Sequence, residues 1–139
     1  MRKLILFLCL AFVVNLAEAQ ILRKSFEVYS LSQGTLTNAG TLTFEAGYLI
    51  PDVYDLSWQV EVDSVSGTPA GTIYLEGSNC SSCSDWSTYA SYTILATSAQ
   101  DTTFVVANFP YYRARVRVVG SGTQSQLVNN HLRWIQRRK

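Results

Sequence analysis

Basic residues are missing from most of this chain. No Lys or Arg occurs between Ser25 and Tyr112, although the same stretch contains nine acidic residues. From Arg113 onwards the balance is reversed, with seven basic residues and no acidic one. The net charge of +1 is too small for a dedicated nucleic-acid binder. Two interpretations are open: the last strands neutralise acidic neighbours, or they form a basic face for a polyanion or for a head-to-tail contact between subunits.

The sequence also has few of the groups on which enzyme chemistry depends. His131 is its only histidine, and no G-x-S-x-G turn supplies a nucleophile beside it. Asp52 and Asp55 are close in sequence, but their number is low for a calcium loop, and the sequence does not show the cleft that a glycosidase needs. We interpret them as solvated loop acids. The sequence therefore predicts a protein without a catalytic site, a metal or a cofactor.

The first twenty residues have the three parts of a secretory signal peptide. Arg2 and Lys3 provide a positive start, residues 4–14 form an apolar run, and the Ala-Glu-Ala tripeptide at 17–19 offers a cleavage site. The apolar run is too short to span a bilayer comfortably. A short buried or anchoring helix is the alternative interpretation.

Cleavage at this site would divide the chain into a leader and one mature domain. We expect residues 1–19 to be removed and residues 20–139 to form a single domain without a transmembrane span. The expected location is then outside the cytoplasm, as a periplasmic, cell-surface or secreted protein. If the leader is retained, a virion is the expected location.

The composition of the remaining chain favours β-structure over helix. Thr, Ser, Val, Tyr and Gly are frequent, and few strong helix formers occur outside the first twenty residues. Short alternating segments separated by Gly, Ser and Asn turns are expected at 24–31, 41–45, 54–65, 72–78, 87–96, 102–107, 111–119 and 124–135. Ser32–Gly40 is expected to be a turn-rich link. The pattern predicts an all-β fold, an antiparallel β-sandwich or jelly roll of seven to eight strands.

Cys80 and Cys83 lie in a Ser- and Asn-rich turn between two of these segments. They supply only half of a structural zinc site, and His131 belongs to a distant segment. A redox C-x-x-C motif opens a helix, and none is predicted here. After removal of the leader these are the only cysteines, which in an exported chain favours a disulfide. Free thiols, or a metal shared across a subunit interface, are the alternatives.

Aromatic and basic side chains supply the candidate binding residues. Trp58 and Trp134 alternate with apolar neighbours and are expected in the core. Other rings cluster where strands start, where they can stack on sugars, contact a partner or pack in the sandwich. The last arginine-rich strand is expected to turn Tyr112, Ala114, Val116 and Val118 inwards and its arginines outwards. The candidate binding residues are Trp86, Tyr89, Tyr92, Tyr111, Arg113, Arg115 and Arg117.

Two segments resemble small β-sandwich proteins of tailed-phage virions. Gly71–Asn79 (GTIYLEGSN), followed by Trp86, is similar to a hairpin that reads G-x-[IV]-x-[VL]-x-x-S-N-D-G-x-x-W in those proteins. Tyr112–Arg117 (YRARVR), followed by GSGT, looks like the strand and turn that come after it. Discoidin-like and carbohydrate-binding sandwiches use a similar hairpin. The chain departs from the pattern at Cys80, where Asp is usual, and the resemblance implies a non-enzymatic structural or adhesive module.

The expected function is therefore assembly or attachment. The leading hypothesis is a phage-virion-like module that forms a homo-oligomer or binds other virion or envelope proteins. The alternative is an exported bacterial module that binds carbohydrate or envelope components through Trp86 and the nearby tyrosines. The first hypothesis predicts a stable oligomer, and the second predicts a monomer whose tryptophan fluorescence changes with sugar.

Overall fold

A computed structural model describes residues 27–46, 54–95 and 99–136, which form eight β-strands. The strands are β1 (Glu27–Thr37), β2 (Thr41–Ala46), β3 (Tyr54–Ser66), β4 (Gly71–Ser78), β5 (Ser87–Ile94), β6 (Ala99–Val106), β7 (Arg113–Gly120) and β8 (Ser125–Gln136). The signal peptide expected at residues 1–19 lies outside these ranges. In the part of the chain that is described, no helix is long and apolar enough to cross a membrane.

The strands divide between two four-stranded antiparallel sheets. One sheet has the order β1-β8-β3-β6, and the other has the order β2-β7-β4-β5. Only β4 and β5 follow each other in sequence and also share a sheet, so the other connections cross from one sheet to the other. This strand order is that of a jelly roll, and it confirms the predicted antiparallel sandwich.

The core lies between the sheets and is built from alternating residues on the interior strands. On β3, Leu56, Trp58, Val60 and Val62 are fully buried, while the polar residues between them face outwards. Ala114, Val116 and Val118 of β7 repeat the pattern in the other sheet. Each fully buried large aliphatic side chain contributes about 1.5–3 kcal/mol. Trp134 packs against the edge of this core.

β8 brings two polar side chains into the core. Gln126 is fully buried, and its Nε2 donates a long hydrogen bond of 3.5 Å to the carbonyl oxygen of Ala70. Asn130 is only 1% exposed, and among the described residues neither polar atom of its amide has a hydrogen-bond partner. Burial of an unpaired amide is unfavourable. Asn130 is therefore a weak point in a largely apolar core.

The link predicted at Ser32–Gly40 is wrong, because β1 continues to Thr37. The pairing of β1 with β8 changes register between Leu31 and Gly34. This irregularity lets β1 continue through the polar residues in its middle. The turn is confined to the residues after Thr37. There Asn38 adopts a left-handed φ of 52°, which Asn tolerates better than most residues.

The prediction that Tyr112 faces the core is also wrong. Tyr112 precedes β7 and is 40% exposed. Asn108 has a φ of 52°, which turns the chain so that Phe109 is buried and Tyr111 packs against the core. The rings of Phe109 and Tyr111 therefore contact the core, where the alternating sequence pattern had predicted the ring of Tyr112.

Candidate binding surfaces

The outer face of the β2-β7-β4-β5 sheet carries the three predicted arginines. Arg113, Arg115 and Arg117 alternate with buried residues along β7. The pairing of β7 with β4 places Arg115 directly opposite Glu76, and Arg117 directly opposite Tyr74. We call these five residues, together with Trp86, the arginine face.

Glu76 is the centre of the arginine face. Arg115 donates from Nε to Glu76 Oε2 at 2.6 Å, and Arg117 donates from Nε and Nη2 to Oε1 at 2.9 and 2.7 Å. Burial of the Glu76 side chain, which is 4% exposed, acts to raise its pKa. The hydrogen bonds and charges of the two arginines outweigh burial, so the pKa of Glu76 is lowered. The same hydrogen bonds raise the pKa of Arg117.

Trp86 lies against the same arginines. The guanidinium carbon of Arg115 is 4.2 Å from the centroid of the Trp86 ring, and that of Arg113 is 4.6 Å away. Arg117 stacks in the same manner on Tyr74 at 4.4 Å. All three distances are within the range of a cation–π interaction. Each arginine therefore has both an aromatic and a carboxylate partner.

Arg113 connects this face to the cysteine turn. Cys80 and Cys83 form the predicted disulfide, with their Cα atoms 5.6 Å apart. Arg113 donates from Nη1 to the carbonyl oxygens of Cys80 and Cys83 at 3.3 and 3.2 Å. Its Nη2 donates to Glu45 Oε2 at 3.0 Å. The turn is thus fixed by a covalent bond and by two hydrogen bonds from the neighbouring strand.

The charge pattern of the sequence has a structural explanation at these positions. Glu76 and Glu45 are the partners of Arg115, Arg117 and Arg113. The arginine-rich strand therefore lies beside acidic strands of the same sheet and is largely neutralised by them. These three arginines therefore follow the first interpretation of the charge segregation, in which the last strands neutralise acidic neighbours.

Tyr89 and Tyr111 belong to a different cluster, at the end of the sandwich where β5 and β7 begin. Their ring centroids are 5.6 and 5.4 Å from that of Phe109, which is buried between them. A Cβ atom at Gly77 would overlap the Tyr111 ring, so the ring fills the space that glycine leaves. Tyr92 instead packs against the core from β5. No single surface therefore unites the seven candidate residues.

The residues that the sequence did not indicate are Tyr74, Glu76 and Phe109. Ile73 and Leu75 of β4 are buried in the core, so alternation along the strand gave Tyr74 and Glu76 the opposite direction from the sequence, although Glu76 is itself buried. Their contact with the arginines depends on the pairing of β4 with β7. That pairing joins segments far apart in the chain, and local alternation does not specify it.

Among the residues that the structure describes, the histidine and the remaining acids form no cluster with the geometry of a metal site. Across the described ranges, no group of three or more His, Cys, Asp or Glu residues could hold a metal ion. His131 Nε2 lies 3.7 Å from Glu61 Oε1, and both side chains are partly exposed. Asp55 accepts a hydrogen bond from the Asn108 N–H at 3.2 Å. Asp52 lies outside the described residues.

A second surface is formed where the two sheets end side by side. β5 is the last strand of one sheet and β6 is the last strand of the other, and the two strands are in contact. Three large apolar side chains are exposed on or next to these strands, Tyr89 (43%), Leu95 (56%) and Val105 (77%). We call this the open side of the sandwich.

No protein-family model and no curated protein matches this chain. Solved structures do match it in fold. The PBSX exported protein XepA is 14% identical with a TM-score of 0.56, and the match covers 81% of this chain and 38% of XepA. PirA is 16% identical with a TM-score of 0.51, over 80% of this chain and 98% of PirA. The Yersinia pseudotuberculosis-derived mitogen is 8% identical with a TM-score of 0.50, over 83% and 89% of the two chains.

At these identities the likeness establishes the fold alone. The chain corresponds to less than half of the length of XepA, so it is similar to one part of that protein. The solved structures therefore agree with a β-sandwich, and the function has to be argued from the surfaces described above.

Proposed function

We propose that this protein is a non-enzymatic assembly or attachment module of the phage-virion type, which associates with copies of itself or with other virion or envelope proteins. The observation that carries the proposal is the open side of the sandwich. Exposed strand edges offer unpaired backbone groups to another chain, and exposed apolar side chains along such an edge favour protein contact. Both features occur together on β5 and β6.

The arginine face is a poorer surface for partner binding than the open side. Its guanidinium groups already contact carboxylates, carbonyl oxygens and aromatic rings within the domain. Recruitment of a polyanion would have to compete with these contacts. The exposed apolar residues of the open side are a better basis for partner binding.

A second candidate function is carbohydrate or envelope binding at the cysteine turn. Arg113 and Arg115 hold Trp86 in place, and the same turn exposes short polar side chains. Those side chains are Asn79, Ser81, Ser82, Ser84 and Asp85. A fixed aromatic ring beside hydroxyl, amide and carboxylate groups suits a sugar, because the ring stacks on the apolar face and the polar groups bind hydroxyls.

Two measurements on the same sample separate these functions. An assembly module is expected to sediment as an oligomer across a wide range of concentrations, and its fluorescence is expected not to respond to sugars. A carbohydrate-binding module is expected to be a monomer whose tryptophan fluorescence shifts with a panel of bacterial glycans. Trp86→Ala should abolish that shift, whereas Tyr112→Ala, an exposed aromatic outside the arginine face, should keep it. A monomer with no glycan response would contradict both.

The proposed location is outside the cytoplasm or in a virion. The test is the intact mass of the unreduced protein, produced with its own leader in a Gram-negative host. Loss of residues 1–19 would support export, and it would strengthen the carbohydrate- or envelope-binding candidate. Retention of the full length would support virion assembly.

A further inference from the structure

β5 differs in its chemistry from the other strands at the sheet edges. The edge strands β1, β2 and β6 each contain an acid, which is Glu27, Glu45 and Asp101 respectively. β5 has the sequence STYASYTI, with no charged residue and no proline. Charge, proline and β-bulges are means by which edge strands avoid pairing with another chain. β5 has only a bulge, near its start, so its continuous part from Ala90 to Ile94 lacks these protections.

The regular part of β5 is short and accessible. Its pairing with β4 is irregular where Leu75 and Glu76 meet it, and from Ala90 to Ile94 it is continuous. Ser91 and Thr93 are exposed within this continuous part. Just beyond it, the Gln100 side chain accepts from the Leu95 N–H at 2.9 Å and donates to the Leu95 carbonyl oxygen at 2.8 Å. The backbone at that end is thus satisfied internally.

We infer that β5 pairs with β5 of a second copy of this chain, antiparallel across a two-fold axis that passes through Tyr92. This register places Ser91 opposite the partner's Thr93, and Ala90 opposite the partner's Ile94. It also brings the Tyr89 end of one strand beside the Leu95 end of the other. The pairing joins two four-stranded sheets into one continuous sheet.

Self-pairing fits the residues of β5 better than those of the other edges. Opposed Ser and Thr hydroxyls can hydrogen-bond, and antiparallel β5 strands bring together no like charges. The exposed apolar side chains Tyr89 and Leu95 lie at its two ends, so both are brought towards the new contact. A pair of β6 strands would bring two copies of Asp101 into the same edge. This inference rests on the assembly role proposed above and names the partner and the surface.

Cysteine cross-linking tests the register. Directly opposed residues in an antiparallel pair have Cα atoms about 4.5–5.5 Å apart, which a disulfide can bridge. Residues displaced by two positions are about 7–8 Å apart, which is too far. We expect a mixture of Ser91→Cys and Thr93→Cys proteins to form a mixed disulfide dimer under mild oxidation. Cross-linking of either variant with itself alone would overturn the register.

A charge at the same edge tests the surface. Ser91→Lys is expected to raise the dissociation constant of the dimer contact at least tenfold in sedimentation, because it brings two ammonium groups near one edge. Thr35→Lys, at an exposed position on the edge strand β1 on the opposite side of the sandwich, is the matched control and should leave the contact unchanged. An oligomer that Ser91→Lys leaves intact would overturn the β5 inference while the assembly function stands. A monomeric wild type would overturn both.

Discussion

Glu76 and Arg115 lie directly opposite each other on β4 and β7, with Arg115 Nε 2.6 Å from Glu76 Oε2. Arg117 binds the other carboxylate oxygen, so one buried acid holds two cations. Each of these cations also stacks on an aromatic ring, Trp86 or Tyr74. The carboxylate therefore organises the whole arginine face, and its removal should affect more than a single ion pair.

Glu76→Gln is expected to lower the free energy of unfolding by about 2–4 kcal/mol, because it leaves two partly buried guanidinium groups without their counter-charge. Glu45→Gln is the matched control. Glu45 is 46% exposed and solvent screens its pair with Arg113, so a loss of about 0–1 kcal/mol is expected. Urea denaturation of the two variants measures the difference, and equal losses would contradict the central role of Glu76.

The lowered pKa of Glu76 predicts a dependence of stability on pH. The folded pKa lies below the unfolded value of 4.5, so the contribution is present above that value and is lost as the pH falls through the folded pKa. Below about pH 4.5 we expect the stability of the wild type to fall more steeply than that of Glu76→Gln. The difference between the two should be constant from about pH 5 to about pH 7. Parallel pH profiles throughout would contradict this assignment.

Gly77→Ala is expected to displace the Tyr111 ring, since the added Cβ would overlap it. Overpacking of this kind lowers the free energy of unfolding by about 1–3 kcal/mol. In a Tyr111→Ala background the space is free, so the same substitution should be nearly neutral there. Denaturation of the four proteins gives the coupling between the two sites, and additive losses would show that Tyr111 is not the obstacle.

Asn130→Leu is expected to stabilise the protein by about 1–2 kcal/mol, because it replaces an amide that has no hydrogen-bond partner among the described residues by an apolar side chain of similar volume. Asn129→Leu, on the same strand but half-buried on the outer face, should have little effect. Thermal and urea unfolding measure both variants. Destabilisation by Asn130→Leu would mean that the amide is hydrogen-bonded by internal water.

The double variant Cys80→Ser/Cys83→Ser is expected to lower the free energy of unfolding by at most about 2 kcal/mol, because the cross-link closes a very short loop. The two hydrogen bonds from Arg113 to the turn remain and should preserve its shape. In the Arg113→Gln background the same cysteine change should perturb the tryptophan fluorescence much more. A similar change of fluorescence in both backgrounds would contradict the role of Arg113.

The parts of the fold that depend on local alternation could be predicted from the sequence. Apolar and polar residues alternate on β3 and β7, and this indicated both the strands and their buried faces. The position of β1 could not be predicted in the same way. Its polar middle has the composition of a turn, and only its pairing with β8 keeps it extended.

The candidate site was predictable in part for the same reason. The outward direction of Arg115 and the disulfide of Cys80 follow from local sequence. The role of Glu76 depends on a pairing between distant segments. Trp86 and Tyr111 lie in different clusters because the chain turns at Asn108, which adopts a left-handed φ.

The order of the strands also affects how the chain reaches this structure. β8 is the last of the described strands in sequence, yet it is the partner of both β1 and β3. Only the β4–β5 pair joins strands that are consecutive in the chain, and every other pair requires the closure of a longer loop before its contacts form. While the chain is being synthesised, β1 and β3 lack their shared neighbour until β8 emerges. The nascent protein is therefore exposed to aggregation until β8 is complete, and folding is expected to be slow for its size.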